Sequence, residues 1–412
     1  MAPARRVLYV DLAPAVGGSV ISLYYLVKGL NRQLYEPHVL LRASNPYIAR
    51  FCALDVPVVT IPGGASGTTY QDGEVVASVR GSRLAHRLKH SMLGERLVHL
   101  AGFYARQVPR VLRDAQAIGQ HMAAIRPDLV HLNDTVGVSR AGVLAARRLR
   151  LPAICHLRAL DERNHFDRWL SRSLVGYVCI SHAVDAHQRT LGGRVEPSWV
   201  VYNGLDLADM DQPIDAAEVR AELGLGRDDL VVGCIGRLVE WKGHRVFLEA
   251  LARLAPDYPR LRGLIVGGAE ANGQAYAREL GELAHTLGLD EVVRFTGFRK
   301  DVPRMLQAMD VMVHASSSPE PFGRVLIEGM AAGVAVIGTD AGAVPEIIED
   351  GVTGLLVPPG DAAAMAGAIA RALGDSPQRE CWVRAARQVV EQRFTMQAYV
   401  SGVERVYKDI LR

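Results

Sequence analysis

Two glutamates, Glu320 and Glu328, stand eight residues apart in SSSPEPFGRVLIEGM (316–330). An ionised carboxylate accepts hydrogen bonds, so such a pair suits ligands rich in hydroxyl groups, such as sugars and riboses. Between them, Pro321, Phe322 and Gly323 mark the start of a helix. That places Glu320 in the preceding loop and Glu328 about two turns into the helix, whose opening residues 323–326 (Gly323, Arg324, Val325, Leu326) offer amides as a phosphate seat. Gly333 suits the helix C-terminus. A second group lies in GRLVEWKGH (236–244), where Arg237 and Lys242 follow an apolar run that ends in Gly236. The glycines at 236 and 243 let backbone approach a ligand closely, and two fixed cations suit a diphosphate leaving group.

Other polar residues end apolar runs. His131 and Asn133 lie in HLND (131–134), and His156, Arg158 and Asp161 in ICHLRALD (154–161). His314, inside an apolar run, reads as structural. Asp209-Met210-Asp211 has the D-x-D look of a metal site, but it sits in a connecting stretch and is read as coincidence. No cysteine–histidine cluster has zinc spacing. We therefore expect no metal and no cofactor.

These residues need a scaffold that brings distant strand ends together. Apolar, β-branched runs predict strands at 6–10, 38–41, 129–132, 153–156, 176–180, 199–202, 231–235, 263–266, 292–296, 311–315 and 335–339. Runs such as VVGCIG are continuously apolar, as strands buried on both faces of a parallel sheet must be. Helical patterns between them, for example at 19–31, 246–255 and 275–287, complete βαβ units. The fold class expected is α/β, with two doubly wound, Rossmann-like domains facing a cleft. The first series ends near NGLD (203–206), so domains are expected at 1–202 and 203–390. The segment 391–412 has apolar residues at helical spacing and needs a surface to cover.

The bulk numbers suit this picture. Length 412 leaves room for two cores, and 49% hydrophobic with 22% charged residues is an ordinary globular balance. No apolar run approaches the roughly 20 residues of a membrane span. Five cysteines without a C-x-x-C pair suit a reducing, cytoplasmic setting. Residues 1–200 hold 25 Lys and Arg against 14 Asp and Glu, whereas residues 201–412 hold 22 against 30. The basic excess peaks over residues 80–113, where eight Lys and Arg face only Glu95. Apolar residues interleave with them there, a basic amphipathic pattern that suits peripheral contact with an anionic membrane. Nucleic acid is not an expected partner.

The stretches G-R-L…K-G, E-P-F-G-x4-E and A-G-A-V-P-E-I, with NGLD (203–206), FTGF (295–298) and VGGS (16–19), resemble the signatures of family 4 of the retaining glycosyltransferases. The resemblance covers nearly the whole chain. It implies the GT-B fold, with the acceptor bound by the N-terminal domain, a nucleotide sugar by the C-terminal one, and a last helix returning to the first domain. It implies that Arg237 and Lys242 hold the diphosphate, Glu328 the ribose and Glu320 the transferred sugar. Phe298 and Arg299 would meet the base through their backbone, and Gly17 and Gly18 would admit the phosphates. The acceptor is expected to be a glycan or a lipid-linked molecule, with His156, Arg158 and Asp161 beside it. Many members carry H-x-H where this chain has His131 and Asn133. An asparagine bonds a hydroxyl but cannot take its proton. Rival readings are a nucleotide-sugar epimerase of the same architecture and a non-catalytic nucleotide-sugar-binding protein. Acceptor-dependent release of nucleoside diphosphate separates all three.

Overall fold

The computed structural model describes residues 3–13, 17–62, 92–194, 196–269 and 273–412, with the side chains of 92–106 left out. Residues 80–91 of the basic stretch 80–113 therefore lie outside the described residues, and of the rest only 107–113 have described side chains. Contacts divide the chain into two compact units: Met1–Val178 with Gln188–Trp199 and Val406–Arg412, and Cys179–His187 with Val200–Arg405.

Strands β1 (Arg5–Asp11), β2 (Tyr35–Arg42), β3 (Val58–Ile61), β4 (Leu129–Asn133), β5 (Ala153–Leu157), β6 (Gly176–Cys179) and β7 (Ser198–Val200) form one sheet in the order β3-β2-β1-β4-β5-β6-β7. The pairings from β3 through β5 are parallel. Val7, Leu8, Tyr9 and Val10 of β1 are fully buried, because helices cover both faces of such a sheet. The helix Gly18–Gly29 follows β1, and Val136–Arg148 follows β4. Thr135 caps the latter by accepting from the Val138 amide at 3.2 Å. The helix His165–Ser171 is fixed by a capping box of Asn164 and Asp167. Asp167 also holds Arg140 through bonds of 2.6 and 2.9 Å, in a fully buried setting.

The second unit repeats the plan with β8 (Leu230–Ile235), β9 (Leu261–Val266), β10 (Val293–Gly297), β11 (Val311–His314), β12 (Ala335–Thr339) and β13 (Leu355–Val357), in the order β10-β9-β8-β11-β12-β13. Every pairing of this sheet is parallel. Its core includes Phe247, Leu248 and Leu251 of the helix His244–Leu254, Met365 and Ile369 of Ala362–Gly374, and Trp382. Cys179–His187 groups with this unit for local reasons. Ser181 Oγ donates to the Pro321 carbonyl at 2.7 Å, and the His182 and Ala183 amides donate to the Glu346 carboxylate at 2.9 and 2.8 Å. In the last helix, Met396–Ile410, Tyr399, Val403, Val406 and Tyr407 are buried, and the residues from Val406 onward group with the first unit. Among the described residues, no helix is long and apolar enough to cross a membrane. All five cysteines are free.

Candidate active site

In open α/β sheets, ligands bind beyond the carboxyl ends of the strands, where the strand order reverses. In the second unit that point lies between β8 and β11, and both strands deliver polar groups to it. Past β8, the loop from Gly236 tightens into a short 3-10 turn, Glu240–Lys242, and closes on Gly243 at φ +70. A Cβ at Gly243 would stand 1.8 Å from the Ala315 carbonyl oxygen, so only glycine lets this loop lie against the end of β11. The loop aims Lys242 at Glu320, with Nζ 2.7 Å from Oε2. His314 Nε2 lies 2.9 Å from the same oxygen, and Ser316 Oγ donates to it at 3.1 Å. Burial works against the Glu320 charge, but the His314 bond and the Lys242 charge outweigh it and hold its pKa at about 2. Its main chain is fixed as well, since the Ala343 amide donates to the Glu320 carbonyl at 2.8 Å.

Gly342 supports that contact at φ +62. An added Cβ there would lie 2.3 Å from the Glu320 carbonyl oxygen and 2.5 Å from its nitrogen. Gly342→Ala is therefore expected to displace Glu320 and cut turnover at least ~10-fold, about 1.4 kcal/mol of barrier. Gly351, at φ +72 with open space around it, is the control for backbone strain alone. Equal rates for the two alanine variants would defeat the expectation.

The helix Arg324–Ala331 begins after Gly323 at φ +91. Glu328 thus lies one turn into the helix, not two, because Gly323 leaves the helical region and delays the first turn. Its Oε1 accepts from Arg324 Nη2 at 3.1 Å. Phe322 is 3% exposed and packs against Phe394 with ring centroids 6.0 Å apart, so only its backbone can meet a ligand. Leu326 is likewise core, whereas Val325 is partly exposed. Arg237 is exposed at the head of the Gly236 loop. Phe298 is 73% exposed, and the Arg299 guanidinium is held by Asp301 at 2.6 Å and Glu222 at 2.9 Å.

The first unit gathers another polar group at its own reversal point, between β1 and β4. Gly17 precedes the helix that follows β1, and Gly18 opens it. Asn133 Nδ2 donates to Asp11 Oδ2 at 2.7 Å and to the Ser19 carbonyl at 3.2 Å, and its Oδ1 accepts from Arg158 Nε at 2.9 Å. Every polar atom of this fully buried side chain is engaged. His131 is also fully buried, with Nδ1 2.6 Å from the Tyr407 hydroxyl and Nε2 3.0 Å from His156 Nδ1. A guanidinium only donates, so Arg158 Nη2 at 3.3 Å makes His156 Nδ1 the acceptor and assigns the His131 proton to Nε2. Burial, then Arg158, keeps both imidazoles neutral. His131 and Asn133, candidates for catalysis by their residue types, are thus bonded to Tyr407, His156, Asp11 and Arg158 and enclosed by them.

Asp134 follows at φ +132, a conformation rarely adopted outside glycine. Its Oδ1 accepts the Thr135 amide at 2.7 Å. Burial and the Asp11 charge push its pKa up to about 7, and burial with Asp167 pushes that of Asp161 to about 6.

Against this geometry, family models match both halves of the chain: Glycosyltransferase Family 4 over residues 16–209 and Glycosyl transferases group 1 over residues 215–389. The chain is 30% identical to the lipopolysaccharide core biosynthesis mannosyltransferase LpsB of Rhizobium meliloti, over 72% of this chain and 91% of that protein. It belongs to the family 4 glycosyltransferases. This glycosyltransferase is also 29% identical to the D-inositol 3-phosphate glycosyltransferase of Corynebacterium kroppenstedtii, over 77% of its length and 67% of the relative's. Among solved structures, it is similar to Anabaena HepE in complex with UDP and glucose: 25% identity, a TM-score of 0.77, and coverage of 98% of this chain and 99% of that one. Its two doubly wound units are those of the GT-B fold.

The glycosyltransferase holds four site residues that its sequence did not announce. His314 and Ser316 grip Glu320; Asp11 and Asp134 flank Asn133. All four sit at the carboxyl ends of the two strands beside each reversal point, which is the signal that would have found them.

Proposed function

We propose that this glycosyltransferase transfers a hexosyl group from a nucleoside diphosphate sugar, with retention and without a bound metal ion, to a hydroxyl of a glycan or glycolipid. The observation that carries the reading is the convergence of Lys242, His314 and Ser316 on one oxygen of Glu320, beside the N-terminus of the helix Arg324–Ala331. All three bonds fall on Oε2, which leaves Oε1 to accept a hydroxyl of the transferred sugar. Lys242 has two further N–H groups for a diphosphate, and Arg237 adds a second cation. Glu328 would take the ribose, Gly17 and Gly18 would admit the phosphates, and the backbone near Phe298 and Arg299 would meet the base. Uracil and guanine both fit this reading, so UDP-sugars and GDP-mannose are the donors to try. HepE in its complex with UDP and glucose supports the first, and the mannosyltransferase LpsB supports a mannosyl donor.

As the anomeric bond breaks, negative charge grows on the diphosphate. Lys242, Arg237 and the helix amides stabilise it without reorganising. The acceptor attacks from the face the diphosphate leaves, and a phosphate oxygen takes its proton, so no enzymic nucleophile is needed. His156, Arg158 and Asp161 in the first unit would hold the acceptor. Anomeric NMR of the product tests retention: an inverted centre would refute it. Turnover that vanishes in chelator and returns only with Mg²⁺ or Mn²⁺ would refute metal independence. The Asp211 carboxylate of the D-x-D tripeptide is already bound by Arg387 at 2.8 and 3.1 Å.

The raised pKa of Asp134 predicts a pH effect on stability. Between pH ~4 and ~7 the folded carboxyl keeps a proton that the unfolded chain has lost, so stability falls as pH rises through that window and levels off above it. Asp134→Asn removes this contribution. The drop in Tm from pH 5 to pH 7.5 should shrink in the variant, and an unchanged drop would contradict the assignment.

A further inference from the structure

The Lys242 ammonium touches more than Glu320. Its Nζ also stands over the Trp241 ring, 4.2 Å from the centroid. The two residues are neighbours in the 3-10 turn Glu240–Lys242, where successive side chains diverge by about 120°. The turn alone therefore does not dictate the contact; the lysine side chain folds back to make it. Its stem runs along Gly236, where an added Cβ would lie 3.6 Å from Lys242 Cδ and 3.8 Å from Cγ. Its head meets Glu320 Oε2 at 2.7 Å. Backbone, ring and carboxylate thus hold this side chain on three sides, and 18% of it stays exposed.

Trp241 is itself anchored to the loop that follows β11. Its carbonyl accepts the Ser317 amide at 2.9 Å and the Ser317 hydroxyl at 3.3 Å. Ser317 comes directly after Ser316, which donates to Glu320 Oε2. Turn and loop are therefore stitched together at Trp241, and again where Gly243 lies against Ala315. The other tryptophan of the second unit has a different place. Trp382 is a core residue, 1% exposed, and its Nε1 donates to the Gly351 carbonyl at 2.8 Å. Trp241 is only partly buried. The face of an indole carries negative potential, so it attracts an ammonium and displaces water from it.

We propose that Trp241 is a positioning residue for the transfer reaction: its ring fixes the Lys242 ammonium on Glu320, where negative charge grows on the leaving diphosphate. A lysine head on a four-carbon stem is otherwise mobile and strongly hydrated. A charge that must first be ordered and dehydrated stabilises a transition state less than one already in place. Glu320 holds the ammonium from one direction, and the ring holds it from another. Unlike a second carboxylate, the ring does so without adding a negative charge that would repel the diphosphate. This role rests on Lys242 being the diphosphate's cation, as proposed above.

The test is calorimetric binding of UDP and of GDP to the full chain, because the departed diphosphate carries in full the charge that the transition state develops. Trp241→Leu keeps apolar bulk and loses the π face. It should bind the preferred diphosphate about 5-fold more weakly than wild type. Trp241→Phe keeps a π face and should recover most of that loss. In a Lys242→Ala background, Trp241→Leu should cost less than about 2-fold, because the ammonium through which the ring acts is gone. The proposal is overturned if Trp241→Leu binds as wild type does or if Trp241→Phe is as weak as Trp241→Leu. It is also overturned if Trp241→Leu costs as much without Lys242 as with it, the mark of a purely structural role. A weakened Lys242→Ala beside a normal Trp241→Leu removes the role of Trp241 alone. If wild type binds neither diphosphate, or Lys242→Ala binds both normally, the donor-site reading fails and takes this role with it.

Discussion

Lys242→Ala is expected to lower kcat at least ~10²-fold, the scale of one lost transition-state donor. The ammonium lies 2.7 Å from Glu320 Oε2 at the carboxyl end of the strand order's reversal point. Charge on the leaving diphosphate is small in the ground state and full when the anomeric bond has broken. A cation beside it therefore acts mainly on the barrier, and the loss should fall on kcat more than on KM. Glu328→Ala is the contrast. A carboxylate on a ribose binds ground and transition states alike, so its loss should raise KM first. Near-normal kcat in Lys242→Ala would remove the site assignment. The variant also takes one compensating charge from Glu320, which stays bonded to His314 and Ser316. The Glu320 pKa is depressed to about 2, so its contribution to stability is complete above the unfolded value near 4.5 and is lost as pH falls toward 2. Without Lys242 that contribution should be smaller and its loss complete at a higher pH, which an acid-melting series detects.

What the sequence disclosed follows from where its signals are strong. Buried parallel strands are continuous apolar runs, and every strand expected from such a run has a counterpart in the structure, for example 231–235 in β8 (Leu230–Ile235) and 335–339 in β12 (Ala335–Thr339). The strands passed over are β3 (Val58–Ile61) and β13 (Leu355–Val357), short pieces at sheet edges. Each is followed by proline, and neither is buried along its whole length, so its run is too brief to read. The helix carrying Glu328 was legible, but its first turn was not. Proline at 321 mimics a helix start, and the positive φ at Gly323 that sets the real one is invisible in a string of letters. The bonding of the polar residues was not legible either. His131 and Asn133 have the chemistry of site residues, yet hydrogen bonds spend them on Tyr407, Asp11 and Arg158. His314 looks like a core histidine and is one by burial, yet its Nε2 grips the carboxylate of the site. Side-chain direction at a strand end decides such cases, and period-2 alternation is too short there to fix it.

The other large effect expected is on stability, at Arg140→Ala. Arg140 and Asp167 form a bidentate pair whose side chains are 7% and 0% exposed. Truncating one partner leaves a buried charge unmatched, which costs about 3–5 kcal/mol. The damage should also reach Asp161, which the proposed function places beside the acceptor. Burial and Asp167 raise the pKa of Asp161 whereas Arg163 and Arg140 lower it, so loss of Arg140 removes one of the two compensating cations. Asp161 should then keep its proton to a somewhat higher pH than the value of about 6 at which it otherwise gives it up. The measurements are chemical denaturation for the stability term and the pH dependence of acceptor KM for the electrostatic one. An Arg140→Met/Asp167→Leu double variant separates them. Replacing both charges by apolar groups removes the desolvation penalty with the attraction, so stability should recover most of the loss. The pH dependence should not return to the wild-type form, because Asp167 and Arg140 no longer act on Asp161 while burial and Arg163 still do. If Arg140→Ala unfolds at the same denaturant concentration as wild type, the pair is not what fixes the helix His165–Ser171. If the double variant is as unstable as the single one, shape rather than charge is what Arg140 supplies.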